Sequence, residues 1–366
     1  MKFSIEKNNF INTLGSAQSV VERRNTIPIL NNIMMEAKSG ILSITGTDMD
    51  IAIFASTEIQ SISDGSITTP AGPLFNIIKK LPEGAQISVE LDNNNILVSA
   101  GRSQFKLPSL PADEFPIMTG GEMPFSFNIG ANELLDLINN TRFAISNEET
   151  RYYLNGIYFH EVDGMLRAVA TDGHRLAKAE TPAPSSTKGM PGIIVPKKAI
   201  NELHKLLEQT DSDVQINLSD NRIKFQLNST IITTKLVDGT FPDYKRVIPQ
   251  GNEIKLRINC SLFSDAVERV ATLSDSKMAP IKVTISNGTL KLFASTPQLG
   301  TASDEIEIEY TGKDLEIGFN ARYLNDIATQ IKNSEMIFEL KDSSSPSIIK
   351  NADNKNVLYV LMPMRV

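Results

Sequence analysis

The chain has 366 residues, of which 41% are hydrophobic and 22% charged, and its formal net charge is −7. This length predicts two or three domains, and the acidic balance argues against a protein whose whole surface binds nucleic acid, although a locally basic face is compatible with it. Tryptophan is absent and aromatic residues make up only 6%, which disfavours a protein that binds single strands by base stacking.

The single cysteine, Cys260, allows no internal disulfide and is consistent with a reducing, cytoplasmic location. Residues Met1–Lys7 contain no long apolar core, so we expect no signal peptide, and no apolar run is long enough for a membrane helix. The three histidines, His160, His174 and His204, lack the spacing of metal ligands. We therefore expect no membrane partner, no metal site and no cofactor.

In chain order, the first pattern is a short alternating strand followed by apolar residues at helical spacing, and it occurs three times. The strands are predicted at Phe3–Ile5, Phe127–Ile129 and Leu256–Ile258. The helices that follow carry the apolar residues Phe10, Ile11, Leu14 and Val21, then Leu134, Leu137 and Ile138, then Leu262, Ala266, Val270 and Leu273. These spacings place the apolar groups on one face of each helix.

The next elements repeat as well. A turn glycine precedes a half-buried strand at Gly40, Gly164 and Gly288, and the two intervals are equal, which indicates domain-sized repeats. A second helix is predicted in each third from the apolar stripes Leu74, Ile77, Ile78, Leu81; Ile200, Leu203, Leu206, Leu207; and Tyr323, Leu324, Ile327, Ile331. Further strands are predicted at Ile87–Leu91, Ile96–Ala100, Val214–Leu218, Ile223–Leu227, Met336–Leu340 and Val357–Met362.

Each third therefore contains two helices and several strands. The sequence predicts an α+β protein of three similar domains, each with two helices packed on antiparallel sheets. Turn residues cluster at Gly120–Pro124 and at Pro249–Asn252, which gives domains at 1–121, 122–250 and 251–366. Because these joints are short and are not rich in glycine and serine, we expect a rigid arrangement and not modules on a flexible string.

The most specific motif is Ala170–Leu176, which follows a predicted strand. Asp172 and Gly173 predict a turn that presents His174 and Arg175 at the rim of a sheet. The apolar run Tyr359–Val366 is predicted to meet this motif in one apolar groove that binds peptides without catalysis. One alternative is a small-molecule hydrolase that uses Asp172 and His174 as an acid–base pair, but the sequence has no Gly-x-Ser-x-Gly nucleophile motif. Another is an array of peptide-binding modules without DNA.

Four motifs then occur in order within the threefold repeat: Arg151–Gly156, Ala170–Leu176, Lys235–Gly239 with Phe241–Tyr244, and Met362–Arg365. Together they resemble the family of bacterial DNA polymerase III β subunits, the β sliding clamps, and the resemblance runs from Met1 to Val366. It implies a non-enzymatic processivity factor with the DNA-clamp fold, in which each chain forms half of a six-domain, head-to-tail dimeric ring. Such a ring encircles duplex DNA without sequence recognition, and helices line its hole. The implied partners are the DNA polymerase III α subunit, the clamp loader complex, and other polymerases and repair proteins with clamp-binding motifs.

The resemblance also implies site residues. Those that match DNA-contacting positions are Arg24, Tyr152, Tyr153, Lys197 and Lys198. Those that match the peptide groove between the second and third domains are Leu154, Thr171, Gly173, His174, Arg175, Leu176, Pro242, Arg246, Val247, Asn320, Tyr323, Val360, Met362, Pro363, Met364 and Arg365. Leucine, valine and methionine would form an adaptable apolar floor, whereas Arg175, Arg246, Asn320 and Arg365 would serve as polar handles at its rim.

Further expectations concern the lumen and the dimer. Other candidate basic residues facing the DNA are Arg23, Lys79, Lys80, Lys205, Arg269 and Lys332. The second helix begins Ala71-Gly72-Pro73, where the family often has basic residues, and Glu148 lies near the two tyrosines in sequence. At the dimer interface, Phe105 and Leu107 are expected to meet the partner's third domain around Leu273.

Overall fold

A computed structural model describes residues 1–22, 25–118, 121–273, 279–331 and 334–365. The chain forms two compact units, and each is discontinuous in sequence. The first contains Met1–Asn132 and Lys198–Leu236, and the second contains Glu133–Lys197 and Val237–Val366. These units do not coincide with the three predicted domains, because the middle third supplies strands to both; the domain boundaries after residues 121 and 250 stay predictions.

The first unit holds a five-stranded and an eight-stranded sheet. The five-stranded sheet has the order β5-β1-β7-β8-β9, with β1 Lys2–Glu6, β5 Gln60–Ser63, β7 Gln86–Asp92, β8 Asn95–Ala100 and β9 Ser103–Pro108. The eight-stranded sheet has the order β10-β15-β16-β17-β4-β3-β2-β6, with β2 Asn32–Lys38, β3 Ile41–Thr47, β4 Ile51–Glu58, β6 Gly65–Pro70, β10 Phe125–Ile129, β15 Val214–Leu218, β16 Arg222–Leu227 and β17 Thr230–Lys235.

The second unit holds an eight-stranded and a four-stranded sheet. The larger has the order β14-β11-β12-β13-β25-β24-β23-β18, with β11 Gly156–Val162, β12 Met165–Thr171, β13 Arg175–Pro182, β14 Ile193–Pro196, β18 Ile254–Asn259, β23 Glu335–Leu340, β24 Ser347–Asn351 and β25 Val357–Leu361. The smaller has the order β21-β20-β19-β22, with β19 Pro280–Ser286, β20 Thr289–Thr296, β21 Gly300–Glu307 and β22 Leu315–Asn320. Every pairing between these described strands is antiparallel.

Six α-helices occur in the described residues, two in each third, as predicted: α1 Lys7–Gln18, α2 Ala71–Lys80, α3 Ala131–Asn139, α4 Lys197–Leu207, α5 Cys260–Ala271 and α6 Ala321–Ile331. Side chains cap α1, α5 and α6, because Glu6 accepts from the amides of Asn8 and Asn9, Asn259 accepts from the amide of Leu262, and Asn320 accepts from the amide of Arg322. The helix limits differ slightly from the patterns. Val21 and Leu273 lie beyond the ends of α1 and α5, and Leu262 is 58% exposed while Phe263 and Val267 take the buried face of α5.

The predicted turn glycines begin their strands as expected. Gly40, Gly164 and Gly288 have φ values of 79°, 73° and 76°. This is the left-handed region that most residues avoid, so the three hairpins have the same backbone conformation at these glycines. The repeated strands therefore keep a common register of buried and exposed side chains, with Leu42 and Leu166 both buried at the second position.

Two seams matter for the functional site. In the first unit, β4 of the first third pairs with β17 of the middle third, with Ile53 opposite Ile232. In the second unit, β13 of the middle third pairs with β25 of the last third, with Arg175 opposite Leu361. Each eight-stranded sheet is thus continuous across two thirds of the repeat. No helix in the described part of the chain has the length and apolar character needed to cross a membrane.

Candidate peptide groove and DNA-facing residues

The turn between β12 and β13 is built from side-chain hydrogen bonds. Thr171 Oγ1 donates to Arg175 O at 2.6 Å and accepts from Gly173 N at 3.1 Å. Asp172 Oδ1 accepts from His174 N at 2.9 Å and from Arg175 N at 3.0 Å. Gly173 has a φ of 89°, and a Cβ atom there would lie 2.4 Å from Nη1 of Arg151. The predicted turn is confirmed, and glycine adopts this positive φ without strain, whereas a Cβ atom would push aside the flexible end of the Arg151 side chain.

Arg175 occupies the centre of the site with its donors already engaged. Its side chain is 10% exposed, and Nε donates to Asp172 Oδ2 at 3.1 Å. Nη1 donates to Asp326 of α6, and Nη2 donates to Phe143 O at 2.7 Å. The guanidinium also lies 4.3 Å from the ring centroid of Tyr323. Arg175 therefore braces the turn against α6, and its role as a polar handle for a peptide stays a prediction.

The C-terminal residues run from this turn to the smaller sheet of the second unit. Met362 N donates to His174 O at 2.9 Å, and Met364 N donates to Gly318 O of β22 at 2.9 Å. A cavity of about 510 Å³ lies beside the tail, and it is lined by Lys282, Glu316, Ile317, Gly318, Ser343, Ser344, Pro363, Met364 and Arg365. The tail is thus fixed at two points, and Met362 remains 39% exposed between them.

The apolar part of the predicted groove divides into a buried layer and an exposed layer. Leu154, Leu176 and Val360 are buried in one cluster that also contains Val169, Ile194, Phe241 and Tyr244. These side chains are thus buried beneath the surface, and their role as an adaptable floor for a peptide stays a prediction. The large apolar side chains of the set that face outward are Val247, which is 48% exposed, and Met362.

The other predicted groove residues lie around these layers. Thr171, Asn320, Tyr323, Pro363 and Met364 are half-buried, and Gly173, His174, Pro242, Arg246 and Arg365 are exposed. Asn320 Oδ1 accepts from Arg322 N at the start of α6, and Arg246 pairs with Asp243 at 2.9 Å. Arg246 and Arg365 therefore remain as the exposed cations of the set.

The acid–base alternative finds no support in this geometry. The carboxylate of Asp172 is occupied by two backbone amides and by Arg175, so it does not orient the His174 ring. Cys260 is buried with its thiol directed at Ala328 O, and burial raises the pKa of that thiol to about 11, the opposite of an activated nucleophile. Among the residues that the structure describes, no group of three or more side chains could hold a metal ion.

The described DNA candidates have different environments. Tyr152 is exposed, with its ring edge-on to Tyr153 at 5.9 Å, and Lys197 donates to Asn147 Oδ1. Lys198 donates to Asp48 and lies 3.4 Å from Glu22. Burial opposes its charge, yet the hydrogen bond to Asp48 raises the pKa of Lys198. Lys198 is thus already paired within the chain, and its contact with DNA stays a prediction.

Of the remaining basic candidates in the described residues, two are exposed and two are paired. Lys79 and Lys80 are exposed at the end of α2, Lys205 pairs with Glu202 at 2.7 Å, and Arg269 pairs with Asp304 at 2.6 Å. Arg23, Arg24 and Lys332 lie outside the described residues. Glu148 accepts two hydrogen bonds from Arg151, at 2.7 and 2.8 Å, which directs its carboxylate to that partner.

Sequence reasoning missed several residues of the site. Asp326 and Phe143 hold Arg175, and Asp48 holds Lys198. One signal was available for Asp48: the segment Thr47–Ile51 precedes Thr171–Arg175 by the same interval that separates the turn glycines. The pairing partners on α6 had no such signal, because they depend on the seam between β13 and β25.

The chain matches known proteins over its whole length. The family model of the DNA polymerase III beta subunit N-terminal domain matches residues 1–119, that of the central domain matches residues 128–243, and that of the C-terminal domain matches residues 245–365. The beta sliding clamps of Caulobacter vibrioides and Escherichia coli K12 are 45% and 36% identical, with 100% of both chains covered in each case. A crystal structure of a DnaN sliding clamp (DNA polymerase III subunit beta) from Bartonella birtlesii, bound to griselimycin, has a TM-score of 0.98 at 47% identity over 100% of both chains.

These matches define a three-domain clamp fold, which confirms the fold class predicted from the repeat. The chain belongs to the DNA polymerase III beta subunit family, the beta sliding clamps. Members of this family are non-catalytic processivity subunits, so the predicted absence of an enzyme activity agrees with the family.

Proposed function

We propose that two copies of this chain close into a ring that encircles duplex DNA in the cytoplasm and slides on it. The ring tethers DNA polymerase III through its α subunit, and it also receives the clamp loader, other polymerases and repair proteins. These partners bind through linear motifs at the groove formed by the turn Thr171–Arg175, the segment Pro242–Val247 and the tail Met362–Arg365.

The main support for a ring is a pair of sheet edges, one in the first third of the chain and one in the last third. Among the described strands, β9 bonds only to β8 and β21 only to β20. Lys106 lies on β9, whereas Asp304, Glu305 and Glu307 lie on β21. Antiparallel pairing of β9 with the partner's β21 would join edges of opposite charge, and a heterologous contact that closes gives a ring.

The predicted apolar contact lies beside these edges. Phe105 and Leu107 are half-buried on β9, and Leu273 is half-buried just after α5, with its carbonyl accepting from Thr296. Leu273→Asp would bury an unpaired charge at the contact and should give monomers in sedimentation velocity. The control is Leu262→Asp, which changes an exposed leucine on α5. An unchanged dimer with Leu273→Asp contradicts this interface.

Topological retention tests the ring itself. Electrostatic DNA binding falls steeply with salt because neutralised phosphates release counterions, whereas a closed ring leaves DNA only at a free end or through an opened interface. Protein loaded onto nicked circular DNA by its loader and ATP should survive a high-salt wash and should leave after a single cut. Equal release from circular and linear DNA contradicts the proposal.

The groove is supported by its exposed apolar side chains, Val247 and Met362, above a rigid core. Methionine adapts to different guests, and exposed Arg246 and Arg365 supply donors for a peptide backbone or carboxylate. Related clamps from Bartonella birtlesii and Pseudomonas aeruginosa were crystallised with griselimycin. We expect griselimycin to bind this chain and to displace a labelled peptide from the groove in a fluorescence polarisation assay.

A further inference from the structure

The segment Phe241–Val247, here called the wall segment, carries three predicted groove residues: Pro242, Arg246 and Val247. Apart from a short 3-10 turn at Tyr244–Arg246 it has no regular structure. The amides of Arg246 and Val247 donate to Asp243 O and Tyr244 O, within the segment itself. Its place on the second unit therefore depends on two buried side chains, Phe241 and Tyr244.

Both buried side chains contact aromatic rings on strand β11, Phe241 by stacking on Tyr158 and Tyr244 by a tilted contact with His160. The Phe241 ring lies 4.8 Å from the Tyr158 ring with an interplanar angle of 4°, and the Tyr158 ring lies 4.9 Å from the His160 ring at 25°. Stacked rings at these distances attract one another beyond the apolar area that they bury. Alternate residues of β11 thus form the surface against which the wall segment packs.

A polar network fixes the other end of the segment. The Tyr244 hydroxyl lies 3.0 Å from His160 Nε2, and the Arg167 side chain interacts electrostatically with the same tyrosine. Arg167 in turn pairs with Glu180 at 2.7 Å, and Lys178 pairs with Glu180 at 3.0 Å. Burial, reinforced by the nearby Arg167, lowers the pKa of His160 to about 4, so its ring is neutral near pH 7 and its Nε2 can accept a hydrogen bond from the Tyr244 hydroxyl.

We propose that Tyr158, His160 and Tyr244 are positioning residues for peptide binding. They touch no peptide themselves. They fix the position of the wall segment. Val247, three residues after Tyr244, is thereby held where a bound peptide can contact it. A loosened segment would be competent for only part of the time, and apparent affinity falls by that fraction. This inference rests on the proposed groove and adds the side chains of Tyr158, His160 and Tyr244 to those assigned to it.

A double-mutant cycle tests the inference with the full-length dimer. The probe is a fluorescein-labelled synthetic peptide that copies a glutamine- and leucine-containing polymerase tail. Tyr244→Phe removes the hydroxyl and should weaken binding about fivefold, the equivalent of one hydrogen bond. Val247→Ala should weaken it as well. Because Tyr244 acts through Val247, the double variant should bind no more weakly than Val247→Ala alone.

Tyr310→Phe is the matched control, since Tyr310 donates its hydroxyl to Lys313 O in the last third. It should leave binding unchanged and should add nothing to Val247→Ala. Additive losses for Tyr244→Phe and Val247→Ala, or wild-type affinity for Tyr244→Phe, overturn the inference. If Tyr244→Phe folds poorly by thermal melting, His160→Leu removes the same contact and must show the same dependence on Val247. A wild-type chain that does not bind the probe contradicts the proposed groove instead.

Discussion

The segments Thr47–Ile51 and Thr171–Arg175, here the first and second turns, have the same backbone construction. In the first turn, Thr47 Oγ1 donates to Ile51 O at 2.9 Å and accepts from Met49 N at 3.0 Å. Asp48 Oδ1 accepts from Asp50 N at 2.9 Å and from Ile51 N at 2.8 Å. The second turn makes the same four bonds with Thr171 and Asp172. Two repeats therefore share one Thr-Asp turn at the end of a strand.

The two turns differ in their charge partners. Asp48 Oδ2 receives Lys198 from α4, so in the first unit the turn supplies the anion and the helix supplies the cation. In the second unit Arg175 of the turn reaches Asp326 of α6, so the helix supplies the anion. Both units thus fasten a turn of one third to a helix of the next, with the polarity of the ion pair reversed.

The rims of the turns differ as well. Asp50 O accepts from Lys235 N, and Asp50 also pairs with Lys235 Nζ at 2.9 Å, so the first turn has an ionic rim. At the matching place in the second turn, His174 O accepts from Met362 N, and the neighbouring side chain is the exposed Met362. The same turn therefore has an ion pair at its rim in one unit and exposed Met362 at its rim in the other.

The largest expected effect is on peptide affinity, and it comes from deleting the tail beside the second turn. Deleting residues 362–366 should weaken binding of the labelled polymerase peptide more than tenfold, because it removes exposed Met362 and the second attachment of the tail at Gly318. Lys235→Ala is the matched change at the first turn and should leave affinity unchanged. Calorimetry that shows wild-type affinity after the deletion would place the groove elsewhere.

The two cations should differ in their contributions to stability. Arg175→Met leaves Asp172 and Asp326 without their shared partner at a site where the arginine is 10% exposed, and should lower the free energy of unfolding by about 3 kcal/mol. Lys198 is 40% exposed, and Lys198→Met should cost about 1 kcal/mol. Urea denaturation of both variants measures the difference. Equal losses would mean that the reversed polarity has no energetic consequence.

Substitution of the third residue should change the free energy of unfolding in opposite directions in the two turns. Met49 has a φ of 76° without being glycine, so Met49→Gly should relieve backbone strain and raise the free energy of unfolding by about 1 kcal/mol. Gly173→Ala should lower it by about 1 kcal/mol and displace Arg151 from Asp172 O. Denaturant midpoints of the two variants give both signs in one experiment. A destabilised Met49→Gly would show that the exposed methionine side chain contributes more than the strain.

The smallest effect is a pH dependence confined to the first turn. Burial alone would raise the pKa of Asp48, but hydrogen bonds from Lys198 and from the amides of Ile51 and Asp50 hold it below its usual 3.8. A lowered folded-state pKa gives stability that is present above the unfolded value and lost as the pH falls through the folded value. The stability difference between wild type and Lys198→Met should therefore shrink as the pH drops below 3.8. A difference that stays constant into more acidic solution would contradict the pairing.

Much of the fold could be predicted because each repeat has sequence patterns that depend only on nearby residues. Alternation, apolar stripes and turn glycines such as Gly164 depend only on neighbouring residues, and the six helices followed from them. The pairing of β4 with β17 and of β13 with β25 could not be predicted, since it joins segments from different thirds. It is this pairing that splits the middle third between two compact units.

The site was predicted at the level of segments and less well at the level of side chains. The turn at Asp172 and Gly173 and its association with the tail are present. The burial of Leu154 and the engagement of Arg175 by Asp326 depend on tertiary neighbours that no spacing reveals. Family resemblance supplied residue roles, whereas the first turn, a local repeat of the second, was missed although the sequence contained it.

The seam between β4 and β17 also bears on how the chain is made. While a ribosome synthesises the protein, β4 (Ile51–Glu58) emerges long before its neighbour β17 (Thr230–Lys235). Until then the nascent chain presents a strand edge rich in isoleucine and alanine, the kind of edge that pairs with other chains. The first third must therefore wait for most of the middle third before its larger sheet is complete. Translation pauses between these strands would prolong that exposure, and nascent-chain chaperones would find their target at β4.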